Sequence, residues 1–145
     1  MYKHILIPTD GSVLSAKAIE HGVALAKSLG ATVTGITVSF PFHTFALDPM
    51  MVSATEEQYK KQCEDRAQKF LGAITDAAKA AGVRARGAHV IADHPYEAIV
   101  EAAKGNGCDL IVMASHGRKG ASAVVLGSET HKLLTHSKIP VLVCR

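Results

Sequence analysis

The sequence contains no tryptophan, and aromatic residues make up only 5% of its 145 residues. Few rings therefore stand among the basic side chains, which argues against a base-stacking platform for single-stranded nucleic acid. Apolar runs are only a few residues long, far below the roughly 20 needed to cross a bilayer. The amino terminus shows no signal-peptide cleavage pattern. We therefore expect no membrane span, no nucleic-acid partner and a cytoplasmic location.

Cysteine is also scarce, with three residues at Cys63, Cys108 and Cys144. An odd number of distant cysteines forms neither a disulfide framework nor a paired metal or redox motif. His131 and His136 are no better as metal ligands, because residues five apart lie on different faces of a helix. We expect reduced thiols that pack as small hydrophobic groups, and no metal site made by the protein alone.

Hydrophobic residues form 48% and charged residues 20% of the chain, which is ordinary for a globular protein. The length fits one domain over residues 1–145. Basic residues are concentrated late in the sequence, where residues 116–145 contain five lysines or arginines and one acid, Glu129. Such an excess indicates either a solvated surface or an anion-binding face.

Short apolar strands alternate with amphipathic helices along the chain. The predicted strands cover residues 3–8, 31–39, 83–91, 108–114 and 139–144. The predicted helices cover residues 12–30, 55–82, 95–105 and 128–137, and residues 40–54 read as a loop. This alternation predicts one open five-stranded parallel sheet with helices on both faces.

The second helix is predicted to be unusually long. Thr55 and Gln58 form a capping box at its start, and Gly82 ends it. Its length of roughly 42 Å at most is about twice that of a typical strand. Its first turns should therefore extend beyond the sheet or bend, where they could cover a cleft.

Ligands of such sheets bind beyond the carboxyl ends of the strands. Here these ends are Pro8–Asp10, Val38–Ser39 and Met113–Gly117, and a glycine-rich stretch leads from the last of them to Gly127 at a helix start. Glycine lets the backbone approach an anion, and a helix start directs open N–H groups at it. With Arg118 and Lys119 nearby, a phosphate-binding rim is predicted, although Gly-Ser before a helix is also ordinary capping. Neither a Walker A nor a G-x-G-x-x-G motif occurs, which disfavours ordinary NTPases and Rossmann dehydrogenases.

Three segments carry a resemblance to a known family: ILIPTDGS at residues 5–12, MASHG at residues 113–117 and IPVLVCR at residues 139–145. Over essentially its whole length the chain resembles the universal stress protein family. The nucleotide-binding branch of that family is marked by G-x-x-G, nine residues and then G-[ST]. Gly117, Gly127 and Ser128 match this pattern, whereas Ala114 stands in place of the first glycine, where its methyl group would crowd a ligand slightly.

The resemblance implies an ATP-binding protein of strand order 3-2-1-4-5, with Mg²⁺ or Mn²⁺ carried by the phosphates. Asp10 would bind the ribose, Pro8 and Thr9 would shape the adjacent wall, and the Val38 backbone would recognise adenine. The phosphates would be held beside Gly127 by the amides of Ala114, Ser115, His116, Gly117, Arg118, Lys119, Gly120, Ser128, Glu129 and Thr130. The last strand, at the sheet edge, would pair antiparallel with a second copy to form a homodimer.

No nucleophile with an identifiable base occurs, so catalysis is expected to be at most slow ATP hydrolysis. The function that follows is a nucleotide-responsive stress or signalling factor with unknown protein partners. One alternative is a family member that binds no nucleotide and acts as an interaction module, as Ala114 suggests. Another is an α/β enzyme or flavodoxin-like electron carrier, supported by fold class alone. Asp10 is also an ordinary turn residue, and His116 contacts either phosphate or solvent.

Overall fold

The computed structural model describes residues 1–45, 55–117 and 126–145. Its elements are β1 (His4–Pro8), α1 (Val13–Leu29), β2 (Thr32–Ser39), α2 (Phe42–Phe45), α3 (Glu56–Ala81), β3 (Ala85–Ile91), α4 (Pro95–Gly105), β4 (Leu110–Ala114), α5 (Ser128–His136) and β5 (Val141–Cys144). The predicted alternation is confirmed, and the predicted loop needs a correction. The short helix α2 occupies part of the predicted loop, and residues 46–54 of that loop lie outside the described residues.

The five strands form one parallel sheet in the order β3-β2-β1-β4-β5, as predicted. β4 is buried along its whole length, which is typical of a central parallel strand covered on both faces. β1 ends at Pro8, whose partner on β2 is Ile36, so β2 continues beyond β1. The sheet therefore has an uneven carboxyl edge.

Each face of the sheet has its own core. On one face, Ile5, Val33 and Val112 pack with α1 and α3 residues such as Val23 and Ile74. On the other face, Leu6, Ile36 and Ile111 pack with α4 and with Leu133 of α5. α1 lies close to the sheet because Gly22 has no side chain, and a Cβ there would overlap the Ile7 side chain. The alternating direction of strand side chains thus distributes the apolar residues between two helical layers.

All five strands begin one or two residues later than their sequence patterns predict, and β2, β3 and β4 do so for one shared reason. The amides of Ala31, Val83 and Cys108 donate to carbonyls of the preceding helices, at Ala26, Ala78 and Ala103, each at 2.8 Å. These are the bonds of a helix carboxyl-terminal cap, which satisfy carbonyls that the helix leaves open. A strand-forming residue that serves as a cap is not available to the sheet, so these strands start one or two residues on.

The long helix α3 has the predicted capping box and extends past the sheet at its start. Its Tyr59 hydroxyl donates to the Phe40 carbonyl at 2.5 Å, and the Tyr59 and Phe42 rings lie 5.7 Å apart. Burial raises the pKa of Tyr59 to about 12, assisted by the neighbouring Cys63 thiol. These first turns line a cavity of about 260 Å³ together with Phe40, Phe42 and Ile91. The overhang therefore packs on the segment that follows β2.

None of the helices within the described residues is long and apolar enough to cross a membrane. All three cysteines are buried free thiols, as expected. Burial raises the pKa of Cys108 to about 11 and also raises that of Cys144. These two thiols therefore stay protonated at neutral pH and act as packing groups.

The amino-terminal edge of the sheet is fixed by Asp109, and this contact predicts a pH effect. Its carboxylate accepts from the amides of Lys3 at 2.9 Å and His4 at 3.0 Å. Desolvation works to raise the carboxyl pKa, but these backbone hydrogen bonds outweigh it, so the pKa of Asp109 lies below its ordinary value. The resulting stabilisation is present above the unfolded-state pKa of about 3.9 and is lost as the pH falls through the lower folded value.

We therefore expect Asp109→Asn to unfold at lower urea concentration than wild type at pH 7, with the difference shrinking between pH 5 and pH 3. Urea titrations of both proteins at several pH values measure it. A difference that stays constant across this range would contradict the assignment.

Candidate functional site

The ends of β1 and β4 meet at the carboxyl edge of the sheet. A Cβ added to Gly117 would overlap the Asp10 carboxylate, so the Gly117 backbone and the Asp10 side chain are in direct contact. The Gly127 amide donates to the Ser115 carbonyl at 2.8 Å, which brings the start of α5 to the same place. The prediction that distant segments share one rim is confirmed for Asp10, Ser115, Gly117 and Gly127.

The turn between β1 and α1 holds Asp10 in a defined position. One Asp10 carboxylate oxygen accepts from the Ser12 amide at 3.0 Å, which is ordinary Asx-turn geometry. The Thr9 hydroxyl is buried, accepts from the Gly11 amide at 3.2 Å and donates to Ser15 at 3.1 Å. Gly11 has a φ of 78°, a conformation that favours glycine. Asp10 is thus both a turn residue and a rim residue, because its other oxygen lies against Gly117.

Val38 lies where β2 continues beyond β1. Ile36 accepts from the Thr9 amide at 2.9 Å and is the last β2 residue in the β1 register. Alternate residues of a parallel strand direct their peptide groups to the same neighbour, so Val38 faces the side that β1 has left. On that side, its N–H and C=O make no backbone hydrogen bond to a described residue outside the strands. This strand end thus offers one donor and one acceptor.

Two contacts attach the start of α5 to the end of β4. The Thr130 hydroxyl is buried and lies 3.1 Å from the carbonyls of both Ala114 and Ser115, to which it donates. Gly127 packs closely on the same strand end, since a Cβ there would lie 3.0 Å from the Ser115 carbonyl and 3.3 Å from the His116 Cα. A side chain at position 127 would therefore need the β4 end to shift by a few tenths of an ångström.

The first turn of α5 carries open hydrogen-bond donors. Its cap residue Gly127 supplies no side-chain acceptor. Within residues 1–45, 55–117 and 126–145, no acceptor bonds the amides of Ser128, Glu129 or Thr130. A helix start with open N–H groups and a positive dipole end attracts anions. This arrangement can bind a phosphate or carboxylate group.

Ala114 does not present its methyl group to this rim. The residue is 7% exposed and belongs to the core that faces α1, together with Val112 and Cys144. A methyl group in that core points away from the peptide groups at the strand end. The methyl group is therefore a core group, and its effect on a ligand stays a prediction.

His116 is buried and does not face solvent. The residue is only 9% exposed, and its Nδ1 lies 2.9 Å from the Ser115 hydroxyl. The solvent-facing interpretation is therefore wrong, while contact with phosphate stays a prediction. The predicted rim residues Arg118, Lys119 and Gly120 lie outside the described residues. In the described ranges, no group of three histidine, cysteine or acidic side chains is placed to hold a metal ion.

Glu129 has a second role that the sequence pattern did not indicate. Its carboxylate accepts from the Tyr96 amide of α4 at 3.0 Å and lies 3.4 Å from the Lys132 ammonium. Its side chain therefore accepts a hydrogen bond at the start of α4, whereas its backbone amide is one of the open donors in the first turn of α5. His136, expected to be solvated, is exposed but has its ring 5.0 Å from the Tyr96 ring. No local pattern connects these residues, because α4 and α5 are distant in sequence.

The sequence profile of the universal stress protein family matches residues 1–145. The chain belongs to the universal stress protein family. A universal stress protein of Thermus aquaticus is 32% identical over the full length of both chains. The solved structure of MJ0577 from Methanocaldococcus jannaschii is 28% identical, with a TM-score of 0.83 over 99% of this chain and 96% of that one. A universal stress protein solved in complex with cAMP is 25% identical, with a TM-score of 0.71 over 99% of this chain and 97% of that one.

The position of Ala114 in this universal stress protein gives a stability prediction. Ala114→Gly removes a buried methyl group and adds backbone freedom to the unfolded chain, so it should lower the free energy of unfolding by about 1 to 2 kcal/mol. Urea unfolding followed by circular dichroism measures the change. A variant as stable as wild type would show that the methyl group is not packed in the core.

Proposed function

We propose that this universal stress protein binds an adenine nucleotide, with ATP as its ligand, at the rim formed by the ends of β1, β2 and β4. The observation that carries the proposal is the open first turn of α5, held beside Asp10 and Gly117 by Gly127. Its amides suit a phosphate group. A similar protein solved in complex with cAMP supports an adenine ligand.

Each part of the nucleotide has a proposed partner. The amides of Ser128, Glu129 and Thr130 bind the phosphates, with the strand end at Ala114–Gly117 and the residues 118–120 completing the cradle. Asp10 binds a ribose hydroxyl through a carboxylate that the Ser12 amide already orients. The open N–H and C=O of Val38 match the donor and acceptor on the edge of adenine. Pro8 and Thr9 form the wall between these contacts.

We propose that any Mg²⁺ or Mn²⁺ arrives with the nucleotide. The described residues provide no three-ligand protein cage, and Mg²⁺ in nucleotide sites is commonly held through phosphate oxygens and water. Among the described residues, the Asp10 carboxylate lies directly against Gly117 at the strand end. Its proposed role is toward the ribose, so no metal ligand is assigned to the protein.

Nucleotide occupancy is proposed to change the shape or partner choice of the protein, as in a stress or signalling factor. A ligand shifts such an equilibrium only by its difference in affinity for the two states. The alternative of a nucleotide-free interaction module rested on Ala114. The packing of the Ala114 methyl group in the α1-facing core favours the nucleotide-binding proposal over that alternative.

Binding is tested with two matched glycine variants. Gly127→Val places side-chain atoms against the Ser115 carbonyl and the His116 Cα, so we expect ATP affinity to fall about tenfold or more, a loss of at least about 1.4 kcal/mol. Gly72→Val adds the same group to α3 where a Cβ meets nothing within 4 Å, and it should bind as wild type. Titration calorimetry with MgATP measures both.

The material released from denatured wild-type protein is also identified by mass. Co-purified ATP, absent from Gly127→Val, is the expected result. Wild-type protein that carries no nucleotide and binds no added MgATP would contradict the proposed function.

We also propose a homodimer through β5, which lies at the sheet edge. An edge strand offers unpaired peptide groups to a second chain, and Leu142 at its middle is 42% exposed. Across a two-fold axis the strand would meet its own copy antiparallel. Leu142→Lys places like charges at that contact and should yield monomers. The variant should still fold, because Leu142 is exposed and its replacement leaves the core unchanged.

Leu134→Lys is the control, since Leu134 is 41% exposed but lies on α5. Light scattering at matched concentration reads the mass of each protein. A monomeric wild type, or a Leu142→Lys dimer, would show that β5 is not the interface.

A further inference from the structure

Glu129, the acidic residue in the first turn of α5, makes its side-chain hydrogen bond to α4. Glu129 is the second residue of α5, a position where a carboxylate ordinarily favours its own helix start. Its carboxylate instead reaches the Tyr96 amide at 3.0 Å. The amides beside it have no partner among the described residues. The acidic side chain of α5 therefore caps α4, while the first-turn amides of α5 stay open.

The start of α4 depends on this contact. Its cap residue His94 makes no side-chain hydrogen bond to the helix, and Pro95 in the first position has no N–H. Tyr96 therefore carries the first amide of α4, and its acceptor is Glu129. A carboxylate bonded to backbone amides at a helix start is a strong form of capping.

Tyr96 contacts α5 at both ends. Its amide bonds Glu129 in the first turn, and its ring lies 5.0 Å from the ring of His136 in the last turn. Between them, the Lys132 ammonium lies 5.8 Å from the centre of the Tyr96 ring. His136 Nδ1 in turn donates to the Lys132 carbonyl at 2.7 Å. The orientation of α5 is thus set against α4 along its whole length.

A helix of nine residues has little stability of its own, so its direction depends on tertiary contacts. On the side of β4, the contacts are the Gly127 amide and the Thr130 hydroxyl. On the side of α4, the contact in the first turn is the Glu129 carboxylate. Without it, Leu133 and His136 still hold the later turns of α5 on α4, but the first turn is held only by its contacts to the end of β4, so its amides can shift.

We infer that Glu129 is a positioning residue for the phosphate end of the nucleotide site, because its bond to the Tyr96 amide fixes the direction of the open α5 amides. The inference rests on the proposed nucleotide binding. Hydrogen-bond donors act on a ligand only when they are held in place, and a displacement of about 1 Å is costly. The base and ribose contacts lie on β1 and β2, so Glu129 affects the phosphates alone.

Charge repulsion between Glu129 and the phosphates predicts the opposite effect on MgATP affinity, so an experiment can distinguish it from positioning. A carboxylate one residue from bound phosphates repels them, so removing the charge would strengthen binding if repulsion were its main effect. Glu129→Gln removes the charge but keeps an oxygen that accepts from the Tyr96 amide. Glu129→Ala removes both. Lys132→Ala removes the ammonium 3.4 Å from Glu129 and leaves the bond to Tyr96 intact.

The experiment measures calorimetric affinities of wild type and the three variants for MgATP and for adenosine, with a thermal melt of each protein. Glu129→Ala should weaken MgATP binding about fivefold, the loss expected for a helix cap of about 1 kcal/mol, and leave adenosine affinity unchanged. Glu129→Gln and Lys132→Ala should remain near wild type for both ligands. The adenosine comparison separates loss of positioning from general loss of folding.

Three outcomes would overturn the inference. In the first, Glu129→Ala and Glu129→Gln both bind MgATP more tightly, so that charge repulsion dominates. In the second, Glu129→Ala binds MgATP as wild type does. In the third, its affinities for MgATP and adenosine fall together. A wild-type protein that binds neither ligand is a distinct result, because it removes the proposed function on which the inference rests.

Discussion

The peptide groups at Ser115 join β5 and α5 to the end of β4, and the rim depends on this junction. The Ser115 amide donates to the Cys144 carbonyl of β5 at 2.8 Å, and the Ser115 carbonyl accepts from the Gly127 amide and the Thr130 hydroxyl. One residue beyond β4 thereby extends the sheet on one side and anchors a helix on the other. A buried carbonyl needs such partners, since leaving it without them costs about 1 to 3 kcal/mol. The position of α5 is thus coupled to the end of the sheet.

The rim also depends on β2 extending further than its neighbour β1. β1 stops at Pro8, after which Asp10 turns the chain into α1, whereas β2 continues through Val38 to Ser39. Pairing of β2 with β3 extends the full way to Ser39 and Ile91. Peptide groups of β2 are thereby left open on one side only, beside the rim. Strand length, rather than any special side chain, makes Val38 a candidate recognition point.

Much of this architecture is visible in the sequence because it depends on local patterns. Apolar runs and helical spacing predict the strands and helices, and glycines such as Gly30 and Gly82 mark helix ends. The strand starts were predicted too early, because residues such as Val83 cap the preceding helix and do not enter the sheet. The family motif identified Gly117 and Gly127, and the structure shows that each meets backbone or carboxylate at close range. In contrast, the Glu129–Tyr96 bond and the burial of His116 depend on tertiary packing, which spacing along the chain does not encode.

The helix starts differ in how their backbone amides are satisfied. Ser12 caps α1 through the Ser15 amide, Thr55 caps α3 through the Gln58 amide, and Glu129 serves the Tyr96 amide of α4. In the described part of the chain, α5 has no such side-chain acceptor. A capping side chain contributes about 1 kcal/mol, so among the described residues the start of α5 lacks a stabilising contact that α1, α3 and α4 have. A bound anion, as proposed, would satisfy these donors, so we expect α5 to be the helix whose stability depends most on the nucleotide. The same argument explains why its direction is fixed from both sides, by Thr130 on β4 and by Glu129 on α4.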